Sequence, residues 1–328
     1  MSNPGEADPE APRRGDLVVI GGAEDKLHRR TVLREFVSRS GGSDARIALI
    51  PTASSLGDEV VEVYDAVFAK LGVAEVIPVR PGSRDDASSP AYVDLLEQAT
   101  GIFMTGGNQL KLSAVVCGTP LGEAIKVAHL RGVTVGGTSA GASIQSSHMV
   151  AFGPGGATPK QRMTQVAAGL GLLEGVVVDQ HFDQRNRYGR LLMIVSQSPQ
   201  LLGIGIDEDT AAVVTHSAGS RTLTVAGRGS VTVLDPARMV TNAYEAPGRR
   251  PILASGVVLH ALPSGSSFDL DARLLVTDGA DRGAGAEEAA EHVEARGDLR
   301  RLVRDVAAAD TSPSALRRRL ARRSKGAS

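Results

Sequence analysis

The sequence predicts an α/β protein: a mainly parallel sheet flanked by helices, with an antiparallel β extension towards the C-terminus. Three observations predict it. Short, wholly apolar runs stop at Gly-Gly or Pro, the pattern of strands buried on both faces. Stretches of helical periodicity alternate with those runs, as in βαβ units. After about Ala211 the alternation gives way to short strand-like segments joined by Gly-bearing turns.

In order, Leu17–Ile20 reads as the first strand, closed by Gly21-Gly22, and a polar, helix-compatible stretch runs from about Asp25 to Ser38. Ile47–Ile50 stops at Pro51 and is followed by helical periodicity from Val60 to Leu71. Val76–Val79 and Ile102–Met104 are the next strands, the second ending at Gly106-Gly107. A helix near Leu121–Leu130 leads into Val133–Val135 and Gly136-Gly137. Val176–Val178 and the glycine-interleaved run at Gly203–Ile206 add two further strands. Thr222–Ala226, Ser230–Leu234 and Val257–Leu262 form the antiparallel extension of the same domain.

Composition narrows the function. The 328 residues suffice for a large core, and 42% hydrophobic with 22% charged residues is an ordinary globular balance. Aromatics are only 3%, without Trp, against 38 Gly, which excludes a nucleic-acid stacking platform. No apolar run reaches the ~18–20 residues of a membrane span. Cys117 is the only cysteine, so no intramolecular disulfide or CxxC site exists, and the thiol is expected in the core. Residues 1–15 lack an apolar h-region and read as a disordered leader. A cytoplasmic protein is expected. The net charge of −1 hides a split, because residues 297–328 hold nine Lys/Arg against three Asp. From Gly279 the chain is Ala-, Glu- and Arg-rich, a helical, basic extension expected either as a solvated appendage or as an electrostatic anchor to an acidic surface or partner subunit.

The chemistry gathers at strand ends. Gly137-Thr138-Ser139-Ala140-Gly141 matches G-x-S-x-G between a strand and a helix expected from Ala142. Such a turn lifts a serine hydroxyl above the sheet edge and points the Ala140 N–H at a developing oxyanion. Of seven histidines, His28, His129 and His292 fall on polar helices as solvated side chains. His148 lies beyond the helix after the serine, and His216 and His260 have no catalytic-looking neighbours. His181 follows an apolar strand inside Asp179–Arg190, a dense polar cluster, and is the expected base. Asp207, Glu208 and Asp209 follow the Gly203–Ile206 strand, and spacing does not separate them as the orienting acid. Thr105–Gln109 offers a second oxyanion donor near Gly107, with Gln109 reaching the substrate. No His/Asp/Glu cluster has metal-ligand spacing, and no cofactor is expected.

These segments, FMTGGNQ (103–109), GGTSAGA (136–142), DQHFDQRNRYGRL (179–191) and GIGIDEDTA (203–211), together with VVIGGAEDK near the start, closely resemble the cyanophycinases. That family comprises cytoplasmic serine peptidases related to aspartyl dipeptidase, with a class I glutamine-amidotransferase-like fold. The resemblance runs from about Gly15 to Thr277, so the catalytic domain is 16–278. It implies Ser139 as nucleophile, His181 as base and Glu208 as the acid. It also implies Gln109, Asp179, Gln180, Arg185, Arg187 and Arg190 as substrate-pocket residues. The implied substrate, cyanophycin, is a poly-aspartate backbone with arginine on each side-chain carboxyl. Arg185, Arg187 and Arg190 are forks suited to its carboxylates, and Asp179 or other acids could answer its guanidinium groups. Hydrolysis through an acyl-enzyme would release β-Asp-Arg, and a homodimer is expected. Three rivals remain. One is an aspartyl or isoaspartyl dipeptidase acting on short peptides. Another is a nucleotide loop at Gly21-Gly22, which lacks the third glycine of G-x-G-x-x-G. The last is a catalytically dead binding protein on the same scaffold, against which the intact Ser139, His181 and Glu208 argue.

Overall fold

The structure, a computed structural model, describes residues 14–217 and 219–277. The stretches read as leader and basic extension lie outside the described residues, apart from Arg14 and Gly15.

The chain begins β1 (Leu17–Ile20), α1 (Thr31–Arg39), β2 (Arg46–Ile50), α2 (Asp58–Lys70), β3 (Glu75–Pro78), α3 (Pro90–Glu97) and β4 (Gly101–Met104). It continues with α4 (Gln109–Val116), α5 (Pro120–Leu130), β5 (Thr134–Thr138), α6 (Ala140–Ser143), β6 (Ser146–Phe152), β7 (Gln165–Ala168), β8 (Leu173–Gln180) and α7 (Tyr188–Gln197). Strands then dominate: β9 (Leu202–Ile206), β10 (Thr210–Ser217), β11 (Ser220–Gly227), β12 (Ser230–Asp235), β13 (Val240–Thr241), β14 (Ala254–Ser255), β15 (Val258–Pro263), β16 (Ser267–Asp269) and β17 (Leu274–Val276).

The α/β reading holds, and the strands divide between two main sheets. One has the order β17-β16-β11-β10-β1-β5-β4-β2-β3, with β1, β5, β4, β2 and β3 all parallel. The other runs β15-β12-β9-β8-β6-β7 around a parallel centre of β9, β8 and β6. The late strands pair antiparallel in both sheets, as the loss of helical punctuation foretold. Alternate residues of β1 enter two different cores: Leu17 and Val19 face the layer shared with the second sheet, Val18 and Ile20 the layer under α1 and α2. The second sheet lays Val176, Val178, Ile204 and Ile206 on the shared core and carries α7 on its other face. The few aromatic rings are concentrated. Phe36, Tyr64, Phe68 and Phe103 pack at 5.1–6.0 Å between centroids under α1 and α2. Gly136 is what admits Phe36, since a Cβ there would lie 2.5 Å from the ring.

Four local expectations change. The helix expected from Asp25 begins only at Thr31. The Asp25 carboxylate accepts the backbone N–H groups of Leu27, His28, Arg29 and Arg30 at 2.6–3.1 Å, which winds 25–30 into a loop instead. The helix expected from Ala142 is the single turn α6. Gln145 Nε2 and Ser146 Oγ take the Gly141 and Ser143 carbonyls that a longer helix would use, at 3.2 and 2.9 Å. His129 is buried rather than solvated. Its ring meets His216 edge-on at 5.4 Å, and no nitrogen of either imidazole has a partner among the described residues. Cys117 is half-buried against the core rather than within it.

Burial, with the neighbouring His216 and Arg14, lowers the His129 pKa to about 4. A neutral imidazole is therefore preferred by the folded chain, while the unfolded chain takes up a proton near 6.5. Stability at this pair should be complete above pH 6.5 and be lost progressively as the pH falls towards 4. Denaturant melts of the wild type and His129→Leu across that range check it: the wild type should lose more stability on acidification than the variant. Parallel pH profiles would contradict it.

Candidate active site

Loops following β1, β5, β8 and β9 meet at one point. Ser139, directly after β5, has φ 52° and ψ −106°, a conformation rare for a residue with a side chain. The flanking glycines make the turn possible. A Cβ on Gly137 would lie 2.1 Å from the Gly141 carbonyl oxygen, and one on Gly141 as close to that of Met104. The turn presents Oγ 3.0 Å from His181 Nε2. His181, at φ 48° after β8, has Nδ1 2.6 Å from Glu208 Oε1. The three consecutive acids therefore separate by geometry. Asp207 accepts from Ser230 N and Oγ at 3.0 and 2.9 Å and from Asp183 N at 3.2 Å. Asp209 accepts from Asp25 N at 2.9 Å, leaving Glu208 alone towards the imidazole.

The Gly21-Gly22 turn after β1 ties these loops together. Ser139 N–H donates to the Ile20 carbonyl at 3.0 Å, His181 N–H to that of Gly21 at 2.8 Å, and Asp209 N–H to that of Gly22 at 2.9 Å. Gly22 has φ 104°, and a Cβ there would fall 2.5 Å from His181 Nε2. The turn read from sequence as a strand stop, with a nucleotide loop as its rival reading, is thus the shared anchor of the site.

His181 is buried. Burial pushes its pKa down, the hydrogen bond to Glu208 pushes it up, and the charges of Arg185 and Arg187 push it down again. The result lies below the ordinary imidazole value, so the ring is neutral at neutral pH and free to accept a proton. Over Ser139 hangs the Gly106-Gly107 loop. A Cβ on Gly106 would be 3.8 Å from Ser139 Oγ, and Gly107 at φ 140° packs directly on the Ala53 carbonyl. The N–H groups of Ala140 and Gly107 have no backbone acceptor among the described residues.

Beside Ser139 a cavity of about 250 Å³ is lined by Glu24, Lys26, Ser54, Tyr64 and Thr138, among others. The buried Glu24 carboxylate accepts from Tyr64 Oη, from Thr138 Oγ1 at 2.5 Å and from Lys26 Nζ at 2.7 Å. Burial raises its pKa, but the Lys26 charge and these three hydrogen bonds together hold it below the usual carboxylate value. Sequence reading passed over Glu24, although an acid two residues beyond a strand-ending Gly-Gly was a visible signal. Tyr64 carried none.

The expected pocket residues divide. Gln109 Nε2 donates to the carbonyls of Val150 and Ala151, and its Oε1 accepts from Gln180 Nε2 at 2.7 Å. Gln180 Oε1 in turn accepts from Ser143 Oγ at 2.6 Å. Both amides therefore brace the site's wall. Asp179 is fully buried, its oxygens occupied by Arg190 Nε at 2.5 Å, by Arg190 Nη2, and by Arg187 Nη1 at 3.2 Å. Burial lowers the Arg187 pKa to about 10. These three form an internal ion cluster rather than open forks, and Asp179 has no oxygen left for a guanidinium. Only Arg185 is exposed, on the turn that follows His181. Among the described residues, no group of three His, Cys, Asp or Glu side chains is arranged to hold a metal ion.

The sequence matches peptidase family S51 over residues 17–221, a span that includes Ser139, His181 and Glu208. The chain belongs to that family. The cyanophycinase of Nostoc sp. is 41% identical over 263 residues, which cover 79% of this chain and 87% of the relative. That of Geminocystis herdmanii is 40% identical over 258 residues, 78% of this chain and 94% of the relative. A solved peptidase from an acI-B1 Actinobacterium shares the fold, at a TM-score of 0.55 and 24% identity, covering 77% of this chain and 98% of that one. This S51 chain is a serine-type peptidase.

Two substitutions test the architecture. Gly22→Ala should displace His181 and lower kcat about 100-fold, while strain at the positive φ removes about 1–3 kcal/mol of stability. A native rate would contradict the anchoring described for this turn. Asp179→Asn strands two buried guanidinium groups and should destabilise the fold by about 3–5 kcal/mol in urea melts. A loss under 1 kcal/mol would show that Arg187 and Arg190 find other partners.

Proposed function

We propose that this S51 peptidase is a cyanophycinase, cleaving the poly-aspartate backbone to release β-Asp-Arg. One observation carries the reading: an unbroken Ser139–His181–Glu208 hydrogen-bonded chain at 3.0 and 2.6 Å, in a sequence 41% identical to a cyanophycinase.

The chemistry follows from the geometry. His181 Nε2 takes the proton of Ser139 Oγ as that oxygen attacks a backbone peptide carbonyl, and Glu208 holds the imidazole in the tautomer that leaves Nε2 open. The Ala140 and Gly107 N–H groups receive the oxyanion. His181 then gives its proton to the leaving amine, and water, deprotonated by the same ring, hydrolyses the ester on Ser139. Arg185 is the open cation that meets substrate carboxylates. Gln109, Gln180, Asp179, Arg187 and Arg190 hold the wall against which the chain lies. A cytoplasmic homodimer is the expected setting, and light scattering reads the assembly directly.

Purified protein incubated with insoluble cyanophycin should release β-Asp-Arg, detected by mass spectrometry, and Ser139→Ala should lower the rate by about 10⁴-fold or more. Release by that variant at the native rate would sink the mechanism. Splitting of β-Asp-X dipeptides with the polymer left intact would assign the chain to short peptides instead. The base must be neutral, so kcat/KM should fall on acidification through a pKa below 6.5. Glu208→Gln removes the carboxylate charge that, with its hydrogen bond, raises this pKa. Its acid limb should move lower still while kcat drops about 10³–10⁴-fold. An acid limb above 6.5 in the wild type would contradict the burial argument.

A further inference from the structure

A second cavity, of about 460 Å³, lies on the outer side of the β6–β7 hairpin and is lined by Phe152, Lys160, Arg162, Met163 and Arg249, with Pro154, Thr164 and Gln165. It holds three cations and no acid. None of Lys160, Arg162 and Arg249 forms an ion pair among the described residues, in contrast to the saturated Arg187 and Arg190. Phe152 exposes 68% of its surface beside them. Two of the cations stand on uncommon backbone, Arg162 at φ 56° and Arg249 at φ 63°. The turns that carry them are sewn together. Arg249 N–H donates to the Gln161 carbonyl at 2.8 Å, Gln161 N–H to that of Arg250 at 2.9 Å, and Ile252 N–H to that of Pro159 at 3.1 Å. The charges are thus displayed from a tied framework, not from a free loop.

The strand that ends at this groove also holds residues of the site's wall. Carbonyls of Val150 and Ala151 hold Gln109, and that of Gly153 accepts from Arg190 Nη1 at 2.8 Å, while Phe152 between them lines the outer groove. Gly156 is joined to the turn carrying Arg185, its N–H donating to the Asn186 carbonyl at 2.5 Å, and to α7, where Gly189 N–H donates to the Gly156 carbonyl at 2.8 Å.

We infer that this groove is a distal binding site for the polymer, in which Lys160, Arg162 and Arg249 take α-carboxylates of its arginine side groups and Phe152 stacks a guanidinium. The inference rests on the proposed substrate and extends it away from the scissile bond. Cations without partners attract carboxylates, and an exposed ring beside them accepts a planar cation on its face. A ligand that repeats both groups along its length satisfies both features. None of the residues lining this groove lines the cavity beside Ser139.

The test uses a Lys160→Gln/Arg162→Asn/Arg249→Asn chain, Asn being the side chain that best tolerates positive φ. The control is Arg34→Gln/Lys70→Gln/Arg131→Gln, which removes the same charge from exposed positions of α1, α2 and the turn after α5. Two quantities are read: co-sedimentation of each chain, in a Ser139→Ala background, with insoluble cyanophycin, and kcat/KM on polymer and on soluble short β-Asp-Arg oligomers. The groove variant should lose about tenfold in polymer binding and in polymer kcat/KM. Its rate on short oligomers should be native, and the control should match the wild type. Equal sedimentation of wild type and groove variant overturns the groove alone. So does an equal loss on short oligomers, which marks a disturbed Ser139 site. A wild type that neither sediments with the polymer nor cleaves it overturns the functional reading as well.

Discussion

The Gly21-Gly22 turn is the constraint on which the site depends. Within three residues the backbone accepts hydrogen bonds from Ser139, His181 and Asp209, one from each loop that carries a functional side chain or its neighbour. Only glycine fits at 22, because the imidazole occupies the space of a Cβ. The proposed nucleophile, base and acid come from distant stretches of chain and from two sheets, and this turn brings them into register. Burial then adds the electrostatics. With the ring out of water, its pKa falls, and a neutral base stands beside the serine.

Strain and charge are concentrated around this point and compensated by packing beneath it. Ser139 and His181 both sit at positive φ, conformations that persist only where surrounding structure over-determines them. The Phe36, Tyr64, Phe68 and Phe103 cluster supports β1, β4 and β5 from below, and Tyr64 reaches from that core to Glu24 at the rim of the site. On the other side the Asp179–Arg187–Arg190 cluster locks β8 to the start of α7, and so fixes the loop that carries His181. A chain poor in aromatics gathers its rings and a buried ion cluster around the loops of the proposed site.

Local chemistry was legible in the sequence, and tertiary chemistry was not. The elbow at Ser139 could be read because strand, glycines and serine are contiguous. His181 could be read because strand-end position and a polar cluster coincide. Asp207, Glu208 and Asp209 could not be separated, because their directions depend on the turn at Asp209, with φ 52°, and on partners at Ser230 and Asp25. The division into two sheets was hidden for the same reason, since strand pairing is decided between segments far apart in sequence. Arg187 and Arg190 looked like substrate forks because their partner, Asp179, gives no sign from spacing that it faces inward. His129 looked solvated because the ring it packs on, His216, belongs to another element.

The central claim is that Ser139, held by this turn against His181 and Glu208, is the group acylated during turnover. Acid quenching within one turnover of cyanophycin, followed by digestion and mass spectrometry, tests it directly. The account predicts an acyl adduct, the carbonyl-side fragment of the polymer with its β-Asp-Arg units, on the peptide carrying Ser139, and on no other. Steady product release with that peptide unmodified, or an adduct on a different residue, would contradict it.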